Sequence, residues 1–169
     1  GNIHQNSLKD IKNAYTGVNK GYGGAYRIPE LKTLLEKLPG DIGINIEIKS
    51  SSVFDLSTAR ALVALKKQLK ERPIIISSFN PIVLAYIHLF LRAAPTGFLL
   101  ESKKYFWIIN WLHPDYLHLR GDMVTEGIVG LCKERNMKIN AWTVNNKNAI
   151  KLLFNKQVVG VVTDMGAVI

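Results

Sequence analysis

The stretch Gly43-Ile-Asn-Ile-Glu-Ile-Lys-Ser-Ser51 has an isoleucine at every second position from Ile44, with an amide, an acid and a base between them. Successive side chains of a β-strand point to opposite faces, so a strand here has one apolar face and one face carrying Asn45, Glu47 and Lys49. The flanking segments are apolar or helix-like, which does not suit a surface hairpin. The stretch predicts an interior strand whose polar face serves a function.

From Ile44 onward, strand-like and helix-like segments alternate. Helices of ten or more residues between strands indicate parallel pairing through right-handed crossovers. Two architectures fit: an open doubly wound sheet, or part of a (β/α)8 barrel. No strand is followed by a Gly-x-Gly-x-x-Gly turn, the usual mark of dinucleotide binding. The predicted strands are 44–49, 74–79, 97–100, 116–119, 138–144 and 158–163. The predicted helices are 55–71, 82–93, 125–136 and 147–154, and 102–112 is predicted to be a helix or helical turn.

A barrel explains the opening stretch better than an open sheet. Side chains of barrel strands alternate between the lumen and the helical shell, so Asn45, Glu47 and Lys49 would face inward and climb toward the C-terminal rim. That rim is where barrel enzymes carry their chemistry. Glu47 and Lys49 stand roughly 7 Å apart along one face, a separation suited to engaging one small ligand from two points. The competing interpretation is an ion pair satisfied inside a core.

Length and composition predict one domain over residues 1–169, with 1–42 as a loop and helix that lead into the first strand. The glycine-rich run Gly21–Gly24 is predicted to be a loop. The most apolar region, from Pro81 to Leu100, is interrupted by two basic or titratable residues and a proline, so it predicts no transmembrane segment. The single cysteine, Cys132, is predicted to be a small core residue and leaves the compartment open, with a lean toward the cytoplasm.

The formal net charge is +9. Solvated helix faces account for most of the basic residues, and an anionic partner is the alternative. Aromatic residues are not interleaved with the basic ones in the way that nucleic-acid binding favours, so no nucleic acid is expected as a partner. A positive field also attracts a small phosphorylated substrate, and charge alone does not decide between these.

Five motifs stand in order along the chain: RIPELK (27–32), INIEIK (44–49), IIISSFN (74–80), INAWTVN (139–145) and VGVVTD (159–164). This ordered set resembles the glycerophosphodiester phosphodiesterase family, from about Arg27 to Asp164. The resemblance implies a metal-assisted (β/α)8-barrel hydrolase that cleaves glycerophosphodiesters to an alcohol and glycerol 3-phosphate.

The same resemblance assigns roles to three residues. It implies that Glu47 is a ligand of a divalent metal ion, Mg or Ca, that Lys49 contacts the phosphate as a catalytic and substrate-binding residue, and that Trp142 borders the substrate pocket. The chemistry agrees, because a hard cation on carboxylate oxygens beside an ammonium neutralises charge that builds on a phosphodiester.

Other family motifs do not occur here: His-Arg-Gly, Glu-x-Asp and His-Asp, which carry the acid–base histidines and further metal ligands. His88, His113 and His118 lie in apolar contexts and are predicted to be core or near-surface residues. A complete barrel has typically about 250 residues, so this chain is short by about 80, close to two βα units. We therefore expect a fragment that is inactive alone. Its strands at 44–49 and 158–163 would be open edges, so we expect the chain alone to associate with another copy or with a missing segment, or to be poorly soluble.

Two other functions remain open at this point. One is a non-catalytic domain of barrel descent that binds a partner or acts as a scaffold, which the missing histidines favour and the retained Glu47 and Lys49 oppose. The other is a basic nucleic-acid-binding module, which rests on net charge alone.

Overall fold

The computed structural model describes residues 3–16, 26–69 and 72–165, in two compact units, Gly1–Gly40 and Asp41–Ile169. The first unit contains a 3₁₀ turn (Ile3–Gln5), helix α1 (Leu8–Asn13), the antiparallel strands β1 (Tyr15–Thr16) and β2 (Tyr26–Arg27), and helix α2 (Leu31–Lys37). The loop expected at Gly21–Gly24 lies outside the described residues. That residues 1–169 form a single domain stays a prediction.

In the second unit, strands and helices alternate. They are β3 (Ile44–Glu47), α3 (Ser57–Ala64), α4 (Lys66–Leu69), β4 (Ile74–Ser78), α5 (Pro81–Phe90), β5 (Thr96–Leu100), α6 (Ile109–Leu112), β6 (Tyr116–Arg120), α7 (Glu126–Glu134), β7 (Lys138–Trp142), α8 (Lys147–Asn155) and β8 (Gly160–Val161). Two 3₁₀ segments, Lys103–Ile108 and Gly121–Met123, precede α6 and α7. The strands β3 to β8 form one parallel sheet in sequence order, which confirms the predicted topology.

Helix starts follow the capping signals in the sequence. The Asn80 side chain accepts hydrogen bonds from the first turn of α5, and Pro81 is its first residue. Thr125 caps α7 in the same way, with its hydroxyl accepting from the Ile128 N–H. The helix predicted over 55–71 instead breaks at Leu65 into α3 and α4. The segment 102–112, predicted to be a helix or helical turn, is 3₁₀ in its first half.

The last strand, β8, is shorter than predicted. Its regular ladder covers two residues, but the Val159 N–H donates to the Ile139 carbonyl at 2.9 Å and the Val162 N–H to the Ala141 carbonyl at 2.8 Å. Pairing with β7 therefore extends to both sides of the regular strand.

One face of the sheet packs under the helices. Its side chains at the centre of the sheet are fully buried: Ile76, Phe98, Leu117, Leu119 and Ala141. Ile44 and Ile46 point to this face as well but are only partly buried, in keeping with the position of β3 at the edge of the sheet. The apolar half of the opening stretch is thus the core side of its strand.

The opposite face is concave and carries the polar side chains. Glu47 pairs with Ser77, and the register continues across the sheet to Lys138, so these residues share one face. Trp142 lies four residues after Lys138 in the same strand and therefore occupies the same face. Phe79, just beyond β4, meets Trp142 with ring centroids 5.6 Å apart. Three strand spacings span about 14 Å in a flat sheet, so this contact requires the sheet to curl. The six strands form a curled half-barrel.

Strands β3 and β8 are the edges of this sheet within the described residues, as six strands in sequence order require. Association of copies through these edges stays a prediction. None of the helices in the described ranges combines the length and the apolar character needed to cross a bilayer.

Candidate active site

The polar face of β3 is open to solvent. Glu47 ends the strand, and the Lys49 Nζ lies 3.9 Å from the Glu47 Oε1. The Lys49 side chain is 85% exposed and that of Glu47 35%. An exposed pair at this distance contributes about 0–1 kcal/mol to stability, so it is not what holds the strand in place. Both charges are available to a ligand on the concave face.

The backbone between these two charges is fixed by the neighbouring strand. The Ile48 N–H donates to the Ser77 carbonyl, and the buried Ser78 hydroxyl donates to the Ile48 carbonyl, both at 2.7 Å. Because Ile48 lies between Glu47 and Lys49, these bonds set the direction in which both charged side chains leave the backbone.

Asn80 connects β4 and α5 to the loop after β3. Its Oδ1 accepts from the Ile82 N–H at 2.9 Å. Its Nδ2 lies within hydrogen-bond distance of three acceptors in that loop: the Ser50 hydroxyl at 2.9 Å, the Ser52 carbonyl at 3.2 Å and the Val53 carbonyl at 2.8 Å. The sequence identified Asn80 only as a helix cap. Its second role is to hold the loop that follows Lys49 against the C-terminal rim of the sheet.

The same loop is closed by Asp55. Its carboxylate accepts from the hydroxyl and N–H of Ser57 at 2.6 and 3.0 Å, and from those of Ser51 at 2.7 and 3.3 Å. The hydrogen bonds from Ser57 and then Ser51 hold the pKa of Asp55 well below its usual range. These hydrogen bonds join both ends of the loop, which presents Phe54 with 83% of its surface exposed.

A second set of bonds joins the ends of β7 and β8. The Asn145 Oδ1 accepts from the Thr163 hydroxyl at 3.0 Å and from the Asp164 N–H at 2.9 Å, and its Nδ2 donates to the Asp164 carboxylate at 2.9 Å. The Trp-Thr-Val-Asn and Thr-Asp motifs are thus linked at the rim, and Asp164 is engaged by Asn145.

Trp142 stands at the edge of a cleft of about 680 Å³ between the ends of β6 and β7 and helix α8. Arg120, Asp122, Asn145 and Lys156 also line it. Arg120 and Asp122 form a two-pronged ion pair at 2.6 and 3.1 Å, which raises the pKa of Arg120 and lowers that of Asp122. The sequence-based prediction did not include Arg120. The alternation of positions 116, 118 and 120 with leucines did indicate which face of the strand Arg120 occupies.

His118 is a core histidine, as predicted, but it lies on the concave side of the sheet. It is 1% exposed, its Nε2 lies 3.1 Å from the Asn140 Nδ2, and its ring covers Gly97. Burial lowers the pKa of His118 to about 4, so its imidazole is neutral at ordinary pH. His88 and His113 are exposed near-surface residues, also as predicted: His88 belongs to α5, and His113 follows α6. None of these three is an exposed acid–base group beside Glu47.

Within the described residues, no three His, Cys, Asp or Glu side chains come together in a way that would hold a metal ion. Glu47 offers one carboxylate. Mg²⁺ commonly keeps several waters and uses one or two carboxylates with substrate phosphate, so Glu47 suits one position in such a shell but does not make a site by itself.

The fold and these strand ends define a parallel α/β half-barrel with an acid and a base exposed at the C-terminal end of one strand. The model of the Glycerophosphoryl diester phosphodiesterase family matches residues 1–167, and the chain belongs to that family. A glycerophosphodiester phosphodiesterase of Caldanaerobacter subterraneus subsp. tengcongensis is 30% identical over 172 residues, which cover 94% of this chain and 67% of the relative.

Solved structures show the same fold. A glycerophosphodiester phosphodiesterase from Agrobacterium tumefaciens superposes with a TM-score of 0.73 at 14% identity, covering 97% of this chain and 71% of that protein. A phosphodiesterase from Oleispira antarctica, in complex with the product sn-glycerol-3-phosphate, gives a TM-score of 0.65 at 23% identity, covering 73% of this chain and 51% of that one. The chain thus spans between about half and about 70% of the length of these three relatives.

Proposed function

We propose that this chain carries part of the active site of a phosphoric diester hydrolase that acts on glycerophosphodiesters. In that reaction, water adds across the bond between phosphorus and the alcohol oxygen, so that the alcohol leaves with a proton and glycerol 3-phosphate keeps the new oxygen. The observation that supports the proposal is the exposed Glu47–Lys49 pair at the C-terminal end of β3, on a backbone held from β4.

In this proposal Lys49 binds the phosphate, because an exposed ammonium on the concave face complements the charge of a phosphodiester. Glu47 supplies one carboxylate to a divalent cation, Mg or Ca. Trp142 borders the end of the pocket that takes the organic part of the substrate, since its ring packs against the Phe79 ring on the concave face.

Titration calorimetry with glycerol 3-phosphate, with and without Mg²⁺ or Ca²⁺, tests the binding roles. Lys49→Ala is expected to weaken binding about 10- to 100-fold, the magnitude of one charge-assisted hydrogen bond. Lys133→Ala, an exposed lysine on α7, is the matched control and should bind as the parent chain does. Glu47→Gln should weaken binding only when the cation is present. Equal affinity for the parent chain and Lys49→Ala would remove Lys49 from the site.

The isolated chain is expected to release no glycerol phosphate above the uncatalysed rate. None of His88, His113 and His118 is an exposed group beside Glu47 that could act as general acid or base. Turnover that chelator abolishes would contradict this expectation.

The lack of an exposed histidine beside Glu47 among these three also supports a second candidate, a non-catalytic domain of barrel descent that binds a partner or acts as a scaffold. The two candidates differ in the calorimetry: a scaffold without a phosphate site gives no heat with glycerol 3-phosphate, and its Lys49→Ala variant is unchanged.

A further inference from the structure

The outer surface of the half-barrel carries aromatic side chains that the candidate active site does not use. Trp107 is 61% exposed, Trp111 45% and Tyr105 40%. They belong to the 3₁₀ segment before α6 and to α6 itself, and we call residues 103–111 the aromatic segment. Large aromatic side chains in solvent are costly, and a group of them on one surface marks an interaction site.

The aromatic rings cannot turn inward, because the other side of the segment is already packed. Ile108 and Ile109 are buried in the main core, with Leu112 just beyond them, and Phe106 packs against the same core. The exposed rings are therefore a fixed feature of the surface.

The position of the segment separates it from the open edges of the sheet. It follows β5 and contacts it, and β5 is the third of the six strands. Strands added at either edge would lie beside β3 or β8, so closing the barrel would leave the segment on the outside.

Basic groups accompany the aromatic ones. Lys103 and Lys104 are exposed, and the Lys104 Nζ lies 4.7 Å from the centroid of the Tyr105 ring. The Arg135 guanidinium, from the end of α7, donates to the Asn110 side-chain oxygen. Residues 102–112 include no acidic residue.

We propose that the aromatic segment docks this protein on the surface of an anionic lipid bilayer. Tryptophan and tyrosine rings favour the headgroup region, and lysine and arginine are attracted to anionic headgroups. A second copy of the chain suits the surface less well, because pairing two such faces would bring Lys103 and Lys104 against their own copies. The exposed Phe54 is a weaker candidate for the same role, since Asp55 follows it directly. The docking does not depend on the proposed hydrolysis.

Co-sedimentation with vesicles tests the proposal directly. The intact 169-residue chain is mixed with vesicles of phosphatidylcholine alone or of phosphatidylcholine with phosphatidylglycerol. We expect binding to the anionic vesicles, lowered about 25-fold by Lys103→Ala with Lys104→Ala, because each lysine near an anionic surface contributes about five-fold. Trp107→Ser with Trp111→Ser should lower it about ten-fold or more. Phe54→Ser is the matched aromatic control and should bind as the parent chain does.

Two of the three tryptophans lie in the aromatic segment, so fluorescence reports on it. In a Trp142→Phe background, emission from Trp107 and Trp111 should shift to the blue on anionic vesicles and be quenched by brominated acyl chains. Equal binding to neutral and anionic vesicles, no binding to either, or loss of binding only in Phe54→Ser would overturn the proposal. The proposal would also be overturned if light scattering showed an oligomer for the parent chain and a monomer for the double tryptophan variant, and the parent chain did not bind vesicles.

Discussion

Two adjacent serines at the end of β4 allow the support of the candidate site to be measured. Both are buried. The Ser78 hydroxyl donates to the Ile48 carbonyl at 2.7 Å and accepts from the Asn80 N–H at 3.1 Å. The Ser77 hydroxyl has no hydrogen-bond partner among the described residues. The same change, serine to alanine, therefore removes two hydrogen bonds at one position and none at the next.

The expected free energies differ in size and in sign. Ser78→Ala leaves the Ile48 carbonyl and the Asn80 N–H unsatisfied in a buried place, and at about 1–3 kcal/mol for each group the loss should be about 2–6 kcal/mol. Ser77→Ala removes a buried hydroxyl that has no hydrogen-bond partner among the described residues, so the free energy of unfolding should stay the same or rise by up to about 1 kcal/mol.

Urea unfolding followed by far-ultraviolet circular dichroism measures both variants. Titrations at several protein concentrations separate unfolding from any association, and the slopes with urea should match that of the parent chain. If the two variants lose equal stability, or if Ser77→Ala loses more, then the hydrogen bonds assigned to Ser78 do not hold the end of β3.

Three further predictions use matched pairs or a pH series. Asn146→Ala removes only a helix cap and should lower the free energy of unfolding by about 1 kcal/mol. Asn80→Ala also removes the contacts to the loop after β3 and should lower it by about 1–3 kcal/mol more in the same urea assay. Equal losses would mean that the loop contacts contribute nothing. Gly97→Ala should lower the unfolding temperature, because a Cβ there would lie 2.6 Å from the buried His118 Nε2. Gly130→Ala, in open space on α7, should raise the unfolding temperature by the equivalent of about 0.5–1 kcal/mol. A stabilised Gly97→Ala variant would contradict the packing of the His118 ring against Gly97. Burial lowers the pKa of His118 from 6.5 to about 4, so between these values the unfolded chain binds a proton that the folded chain does not. The contribution of His118 to stability should therefore be complete above pH 6.5 and fall by roughly 3 kcal/mol as the pH drops toward 4. His118→Gln should flatten this dependence of stability on pH, and an unchanged dependence would assign it to other groups.

The sequence by itself determined the features that depend on a few neighbouring residues. Alternation along 44–49 identified the apolar and polar faces of β3, and the Asn80-Pro81 pair and Thr125 located two helix starts. These succeed because strand periodicity and helix caps are set within about three residues of chain. The parallel order of the sheet followed from the lengths of the connecting helices.

Only the tertiary structure decided what the side chains do once distant strands are neighbours. Asn80 reaches Ser50, 30 residues away, because β4 lies beside β3. Phe79 meets Trp142 because the sheet curls, and His118 is buried because its ring covers a glycine of β5. The break at Leu65 was not visible in the sequence, since local propensity favoured one continuous helix. Periodicity in a chain specifies which face a residue occupies, whereas curvature and strand adjacency specify which residue it touches there.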